Sequence, residues 1–435
     1  MKDVLQRVPQ RWRILAGVTV AIALAITFAP GHRGWFDVGV YWGAINYWIH
    51  EEGSIYDYVR VASTYGYTYP PFAALCMLPM AIVPWHGAIA INFMMSAAAS
   101  AFLLYVLLEP TFRRMGWDSE RDRAFAAAVV VLMFATFGPV RDTFSFGQIN
   151  LLLMALVYLD LLLAMRGHRF AGAGIGLAAA IKLTPGIFII YLLVTGRWRM
   201  AGVASATTAG ATLLAAVAMP DASRAYFTEL LWETSRVGNL DYVSNQSVMG
   251  MVARLAPSTP SRTLWVALVG AILLIWARKV RSVDMRTGFA LTGVVACLIS
   301  PVTWVHHLVW VIPAMILITD RALPLASIDR PARRTMRMMM FSYFMLSVGI
   351  VWAFMHWYQG PLGFLGSNMY VLISLALLFL VPSAVPAPVP VPAQLALPEY
   401  PGSFFYPDAP PARVAHAATQ IRLASSAGVG DRLSA

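Results

Sequence analysis

Long apolar runs separated by short knots of arginine set the first limit on this chain. A backbone in lipid must satisfy its own N–H and C=O groups, so runs of this kind fold as helices packed into a bundle. Composition agrees: 59% of the 435 residues are hydrophobic, 12% are charged, and mean hydropathy is +0.65. No soluble globular domain of this size has such values. The net charge of +11 does not indicate nucleic acid. The basic residues lie between apolar runs, as cytoplasmic loops do, and form no stripe or aromatic-rich motif. Cys76 and Cys297 lie far apart in apolar stretches and read as core thiols, not as a disulfide or a zinc pair.

Lys2, Arg7, Arg11 and Arg13 precede the first apolar run, Ile14 to Ala29, and no small-residue cleavage site follows before Asp37. The run reads as a retained first helix with its amino terminus in the cytoplasm. An outer loop, about residues 30–70, is too polar and aromatic to span and ends in Tyr69-Pro70-Pro71. Pro71 suits the first turn of a helix, and Phe72 to Val83 reaches only roughly 18 Å against a ~30 Å hydrocarbon core, so that helix lies on or partly in the surface. Spans are expected from Trp85 to Leu108, Ala124 to Gly138, Leu151 to Met165, Met200 to Met219, Thr263 to Ala277, Thr287 to Ser300, Leu308 to Thr319, Met338 to Trp357 and Leu365 to Val381. Between Arg166/Arg169 and Arg197/Arg199 lie two short runs, Phe170 to Ile181 and Pro185 to Thr195, separated by Lys182-Leu183-Thr184. Keeping both arginine pairs inside requires two half-length helices that meet near the outer side, with Lys182 at the apex.

A second outer loop covers about residues 220–262. With this topology Lys and Arg favour the inside by three to one. The fold expected is all-α and polytopic, with about 12 membrane segments, some short or re-entrant, and helical outer loops. Residues 1–381 form this domain. Residues 382–435 repeat Pro with Ala and Val and read as a disordered, solvated cytoplasmic tail.

Polar residues that the bundle does not itself require collect on the outer side: Asp37, Tyr41, Arg141, Gln148, Asn150, Lys182, Asn245, Gln246, Ser247, His306 and His307. Asp37 is either a solvated loop acid or a base shielded by its aromatic neighbours. Lys182 anchors a helix end by snorkelling or meets an anion. The adjacent histidines suit hydrogen bonding or phosphate better than a metal, for which no third ligand is evident. Gln148 and Asn150 either cap a helix or hold a hydroxyl-rich ligand, and Asn245-Gln246-Ser247 also matches the N-glycosylation triplet. A base, a cation and sugar-compatible amides at the outer leaflet fit transfer of a glycosyl group from a lipid phosphate. The base would take the acceptor proton, and Lys182 with a histidine would neutralise the departing phosphate. No Gly-rich loop offers a nucleotide-sugar site, and no cofactor is called for. A transporter or flippase is the rival from another class, although no repeated halves are visible; a structural scaffold is the third reading.

Six blocks carry a resemblance: Phe36 to Tyr41, Tyr69-Pro70-Pro71, Gly147 to Asn150, Ala180 to Pro185, Asn245-Gln246-Ser247 and Ile299 to His307. In order, they resemble the signature blocks of glycosyltransferase family 87, the polyprenyl-phosphate-mannose-dependent α-(1→2)-mannosyltransferases of mycobacterial-type envelopes. The resemblance implies a plan similar to the integral-membrane C-type glycosyltransferases and a single inverting displacement with Asp37 as general base. It also implies donor-phosphate contacts from Lys182 and His306 or His307, with Arg141 a further candidate. Tyr41, Gln148, Asn150 and Asn245 to Ser247 would meet sugar or acceptor. The implied donor is a β-linked polyprenyl phosphomannose, with arabinose or glucose carriers as alternatives. The implied acceptor is a mannose of a phosphatidylinositol mannoside, lipomannan or lipoarabinomannan. The site would face the outside of the plasma membrane, among membrane lipids.

Overall fold

The computed structural model describes residues 9–28, 31–115 and 119–382; Lys2, Arg7 and the Pro-rich tail beyond residue 382 lie outside the described residues. Helix follows helix, and no β-strand occurs among the described residues beyond one isolated bridge, Val59 to Gly66. α1 (Gln10–Phe28) leads to α2 (Phe36–His50) and α3 (Pro71–Met77), which lie in the connection that follows it. The chain continues as α4 (Trp85–Arg114), α5 (Glu120–Thr136), α6 (Gly138–Phe146), α7 (Asn150–Met165), α8 (Ala173–Ile181), α9 (Ile187–Val194) and α10 (Trp198–Ala218). The long connection after α10 holds α11 (Pro220–Thr228) and α12 (Val248–Leu255). The bundle ends with α13 (Arg262–Val280), α14 (Met285–Ile299), α15 (Ile312–Ala322), α16 (Arg330–Val348), α17 (Gly360–Ser367) and α18 (Met369–Leu380).

Among the described residues, four segments are long and apolar enough to cross a membrane singly: α4, α10, α13 and the stretch Val305–Leu325. Two bent pairs, α5 with α6 at 65° and α17 with α18 at 64°, bring the number to six. The protein is therefore a multi-pass membrane protein. The expectation of about 12 segments counts shorter apolar helices such as α7 and α14, which length alone does not qualify as spans.

The broken element foreseen around Lys182 is present. α8 is built of Gly, Ala, Ile and one Leu and packs tightly: a Cβ on Gly174 would lie 2.4 Å from the Leu156 carbonyl oxygen, and one on Gly176 2.5 Å from that of Ala204. Asp160 of α7 accepts the Ile175 N–H at 2.6 Å, serving an otherwise unpaired donor in the first turn of α8. At Lys182 the chain becomes extended, Pro185 sits in the short turn that follows, and α9 restarts at Ile187.

Three local expectations change. Residues 139–146, which fall between the expected spans Ala124 to Gly138 and Leu151 to Met165, belong to α6, which has Pro139 in its first turn and ends at Gly147 with φ 71°. α16 begins well before Met338, because Asp329 caps it by accepting the Ala332 N–H at 2.8 Å; Arg330, Arg333, Arg334 and Arg337 thus ride on the helix. Cys297 is buried, but Cys76 is exposed, since α3 turns Ala73, Ala74 and Met77 inward.

At the arginine-rich ends the loops assigned to one side meet each other. Arg11 pairs with Asp122 at 2.6 Å, and Arg114 with the buried Asp320 at 2.7 Å. Lys279 donates to the carbonyls of Leu378 and Val381 at 2.7 and 2.8 Å, capping the last turn of α18.

Candidate active site

The first turn of α2 is held from three directions. Gly34 and Trp35 are both left-handed (φ 61° and 54°), and this reversal is tied to the end of α6: the Trp35 N–H donates to the Ser145 carbonyl at 3.0 Å, and the Arg33 N–H bonds the Ser145 hydroxyl. Arg60 donates from Nη1 to the Trp35 carbonyl at 3.0 Å and to that of Phe36, and from Nη2 to that of Gly34 at 3.2 Å. Glycine is needed opposite it, since a Cβ on Gly39 would fall 1.5 Å from Arg60 Nη1. Val38, Tyr41, Ala44 and Ile45 recur at helical spacing and are buried, which fixes the rotation of α2. Asp37 is thereby presented from a rigid turn.

Around it runs a continuous hydrogen-bond network. Tyr41 donates to the Tyr69 hydroxyl at 2.9 Å, and Tyr69 donates to Gln148 Oε1 at 3.0 Å. Because Oε1 is already engaged, the NH₂ end of Gln148 is the end left for Asp37, to which the Gln148 side chain hydrogen-bonds. Asp37 Oδ2 is buried with no partner. Burial pushes the Asp37 carboxyl up to about 6, against the Gln148 hydrogen bond and the charges of Lys182 and Arg60, which pull it down. A carboxylate in that range can take a proton near neutral pH.

Lys182 Nζ lies 3.3 Å from the Tyr69 hydroxyl, 3.2 Å from Asn150 Oδ1 and 3.0 Å from His307 Nε2. The Trp304 backbone N–H donates to His307 Nδ1 at 3.1 Å. A backbone N–H cannot accept, so Nδ1 is the unprotonated nitrogen and the neutral ring carries its hydrogen on Nε2. The ammonium of Lys182 and the Nε2–H of His307 are then two donors side by side, an arrangement that an anionic oxygen accepting from both would satisfy.

These groups open on a cavity of about 480 Å³ whose wall includes Asp37, Tyr69, Gln148, Lys182, His306 and His307. Arg33, Tyr242, Trp304 and Trp352 complete an aromatic and cationic side. Among the described residues no cluster of three His, Cys, Asp or Glu side chains has the disposition of a metal site.

The other expected site residues stand behind the wall. Tyr41 is buried under Tyr69, and Asn150 joins Lys182 to the His306 carbonyl, to which its Nδ2 donates at 3.3 Å. Arg141 donates to the Ser347 carbonyl at 2.8 Å and does not line the cavity. Asn245, Gln246 and Ser247 are fully buried and also stand off it. Asn245 donates to Leu240 and Pro301 carbonyls and accepts the Thr303 N–H at 2.9 Å; Gln246 donates to the Val243 and Ser367 carbonyls; Ser247 caps α12 through the Gly250 N–H at 3.0 Å. Three polar side chains in a row here hold backbone together. Tyr69, Arg33 and Trp304 are cavity residues that sequence reading did not single out, although Tyr69 opens the Tyr-Pro-Pro block.

The helix bundle thus gathers a carboxylate, a lysine and a histidine on the wall of one chamber. The family model for glycosyltransferase family 87 matches residues 67–301. A Mycolicibacterium smegmatis polyprenol-phosphate-mannose-dependent α-(1-2)-phosphatidylinositol pentamannoside mannosyltransferase is 31% identical over 69% of this chain and 74% of that protein. A Mycobacterium tuberculosis protein of the same description is 32% identical over 71% of this chain and 72% of its own length. A second M. tuberculosis protein, described as a phosphatidylinositol mannoside mannosyltransferase with the same donor and linkage, is 31% identical over 71% of this chain and 72% of its own length. No solved structure matches. The chain belongs to glycosyltransferase family 87, and is a glycosyltransferase. Tyr69, Gln148, Asn150 and Lys182 fall inside the matched region; Asp37, His306 and His307 flank it.

Proposed function

We propose that the protein transfers mannose from a polyprenyl phosphomannose to a mannose of a phosphatidylinositol mannoside or related lipoglycan, forming an α-(1→2) linkage with inversion. The observation that carries this reading is that Asp37, a base with an unpartnered buried oxygen, and the Lys182–His307 donor pair line one cavity. Asp37 accepts the proton of the acceptor hydroxyl as its oxygen attacks the anomeric carbon. The bond from that carbon to the phosphate oxygen breaks, and its electron pair leaves with polyprenyl phosphate. Lys182 and the Nε2–H of His307 stabilise the charge that gathers there, the effect expected to count most in such a step. A β-linked donor then yields an α-mannoside.

The names of the relatives support the donor and the acceptor class. The arginine distribution supports a site facing outward from the plasma membrane with both termini in the cytoplasm. The short and broken helices are compatible with a C-type plan of about 12 segments, and residues 382–435 are read as a separate solvated tail. In membranes supplied with polyprenyl phosphomannose and a mannoside acceptor, Asp37→Asn is expected to reduce transfer by about 10²–10⁴-fold, the range of a lost general base. Undiminished transfer would remove Asp37 from that role, and competition by polyprenyl phosphoarabinose or phosphoglucose would redirect the donor.

A further inference from the structure

One cation on the cavity wall has no place in the step above. Two arginines line the cavity, and they differ in what they hold. Arg236 gives Nη2 to the Tyr56 carbonyl at 2.7 Å and is committed to the fold. Arg33 is held by its surroundings instead: its guanidinium carbon lies 4.7 Å from the centre of the Trp352 ring and 5.6 Å from that of Phe146. Its acidic neighbour, Asp142, forms an ion pair with Arg33 Nε at 3.7 Å, longer than a hydrogen bond, and the buried Nε–H makes no hydrogen bond. A guanidinium presents a fork of donors that matches a phosphate, and aromatic faces fix its plane without using those donors.

Arg33 is also set apart from Lys182. Phe146 packs edge-on against His306 at 5.1 Å, and His306 against His307 at 4.6 Å, so three rings stand between the two cations. A donor phosphodiester carries a single negative charge, which the Lys182–His307 pair already meets.

We propose that Arg33, clamped by Trp352 and Phe146, is a subsite for the phosphodiester of an acidic acceptor lipid. It makes the enzyme select mannosides carried on a phosphorylated head group over neutral mannosides. The inference rests on the mannosyl-transfer reading for its assay but not for its binding measurement.

The test compares wild type with Arg33→Gln and Arg33→Lys, using polyprenyl phosphomannose with either a phosphatidylinositol mannoside or a neutral alkyl mannoside as acceptor. For Arg33→Gln the ratio of kcat/KM for the acidic acceptor to that for the neutral one should fall at least about tenfold, with KM for the donor little moved, and Arg33→Lys should recover part of the ratio. An unchanged ratio, or a rise confined to the donor KM, overturns the proposal. Equilibrium binding of radiolabelled phosphatidylinositol mannoside to the purified protein gives a readout free of turnover. Weaker binding by Arg33→Gln, relieved in Arg33→Lys, supports the subsite even if the donor sugar is not mannose, and undiminished binding by Arg33→Gln overturns it. Absence of transfer in wild type, with binding still dependent on Arg33, would count against the transfer reading alone.

Discussion

The Tyr69 hydroxyl donates to Gln148 Oε1 at 3.0 Å while it receives the Tyr41 hydroxyl and lies 3.3 Å from Lys182 Nζ. One phenol thus sets which end of the Gln148 amide turns to Asp37 and touches the cation on the opposite side of the network. Replacing Tyr69 by Phe removes that choice at little cost in packing, since the ring and its neighbours Tyr41 and Tyr67 remain. Transfer by Tyr69→Phe should drop about tenfold, the loss of roughly one buried hydrogen bond. Its acid limb should move to higher pH, because the amide that favours the Asp37 carboxylate is no longer held; a rate profile that keeps its wild-type midpoint would contradict this role.

The pH profile of wild type carries the same information. Asp37 works as a base only when ionised, and burial raises its carboxyl to about 6. On the acid side the rate should therefore decline as pH falls through that value, approaching tenfold per pH unit. Measuring kcat/KM from pH 4.5 to 8, a window chosen around the expected midpoint of about 6, tests the assignment. A midpoint near the ordinary aspartate range would mean that the group is open to water when substrate binds.

Lys182→Met should lower kcat/KM by about 10²-fold and chiefly through the donor, as expected for a cation on a departing phosphate. Lys182→Arg should recover little, because a point charge fits between Asn150 and His307 at 3.2 and 3.0 Å where a planar fork does not. Donor titrations with both variants check this, and a loss expressed only in acceptor KM would argue for another role.

Asn245→Ala is predicted to act on stability. It removes the acceptor for the Thr303 N–H and the donor to the Leu240 and Pro301 carbonyls, and an unmet buried backbone group costs about 1–3 kcal/mol. Thermal unfolding in detergent should show the loss, with KM for donor and acceptor in the surviving enzyme close to wild type. A raised KM without a lowered Tm would return Asn245 to the binding surface.

Gly147→Ala should be equally costly for a different reason. Its φ of 71° favours glycine, and a Cβ would lie 2.1 Å from Val38 Cγ2, the residue after Asp37. The variant is expected to lose about 1–3 kcal/mol and to disturb the approach of Asp37 to Gln148, so both Tm and rate should fall.

How far the site was legible in the chain varies by residue. Lys182 was placed by charge and length alone: two half-length apolar runs between arginine pairs leave little choice but a break with the lysine in it, and α8 and α9 show that break. Asp37, Gln148 and the histidines were marked by being polar in an apolar chain, and the cavity collects them. The same signal also marked Asn245, Gln246, Ser247 and Arg141, whose side chains bond backbone away from the cavity, because a buried amide that binds backbone and one that binds a sugar have the same composition. Arg33 and Tyr69 were passed over because nothing local separates an arginine or tyrosine on a cavity wall from those in a loop.

By itself the sequence determined an all-helical membrane bundle, the positions where its helices must break, and the collection of polar groups toward one side. Hydropathy and charge act residue by residue against lipid and water, so they are readable along a chain. Tertiary structure decided which of those groups share a chamber and which are consumed in holding it. That distinction depends on hydrogen-bond partners far apart in sequence, such as Lys182 with His307 and Tyr69 with Gln148, whose meeting is set by packing and not by any local pattern.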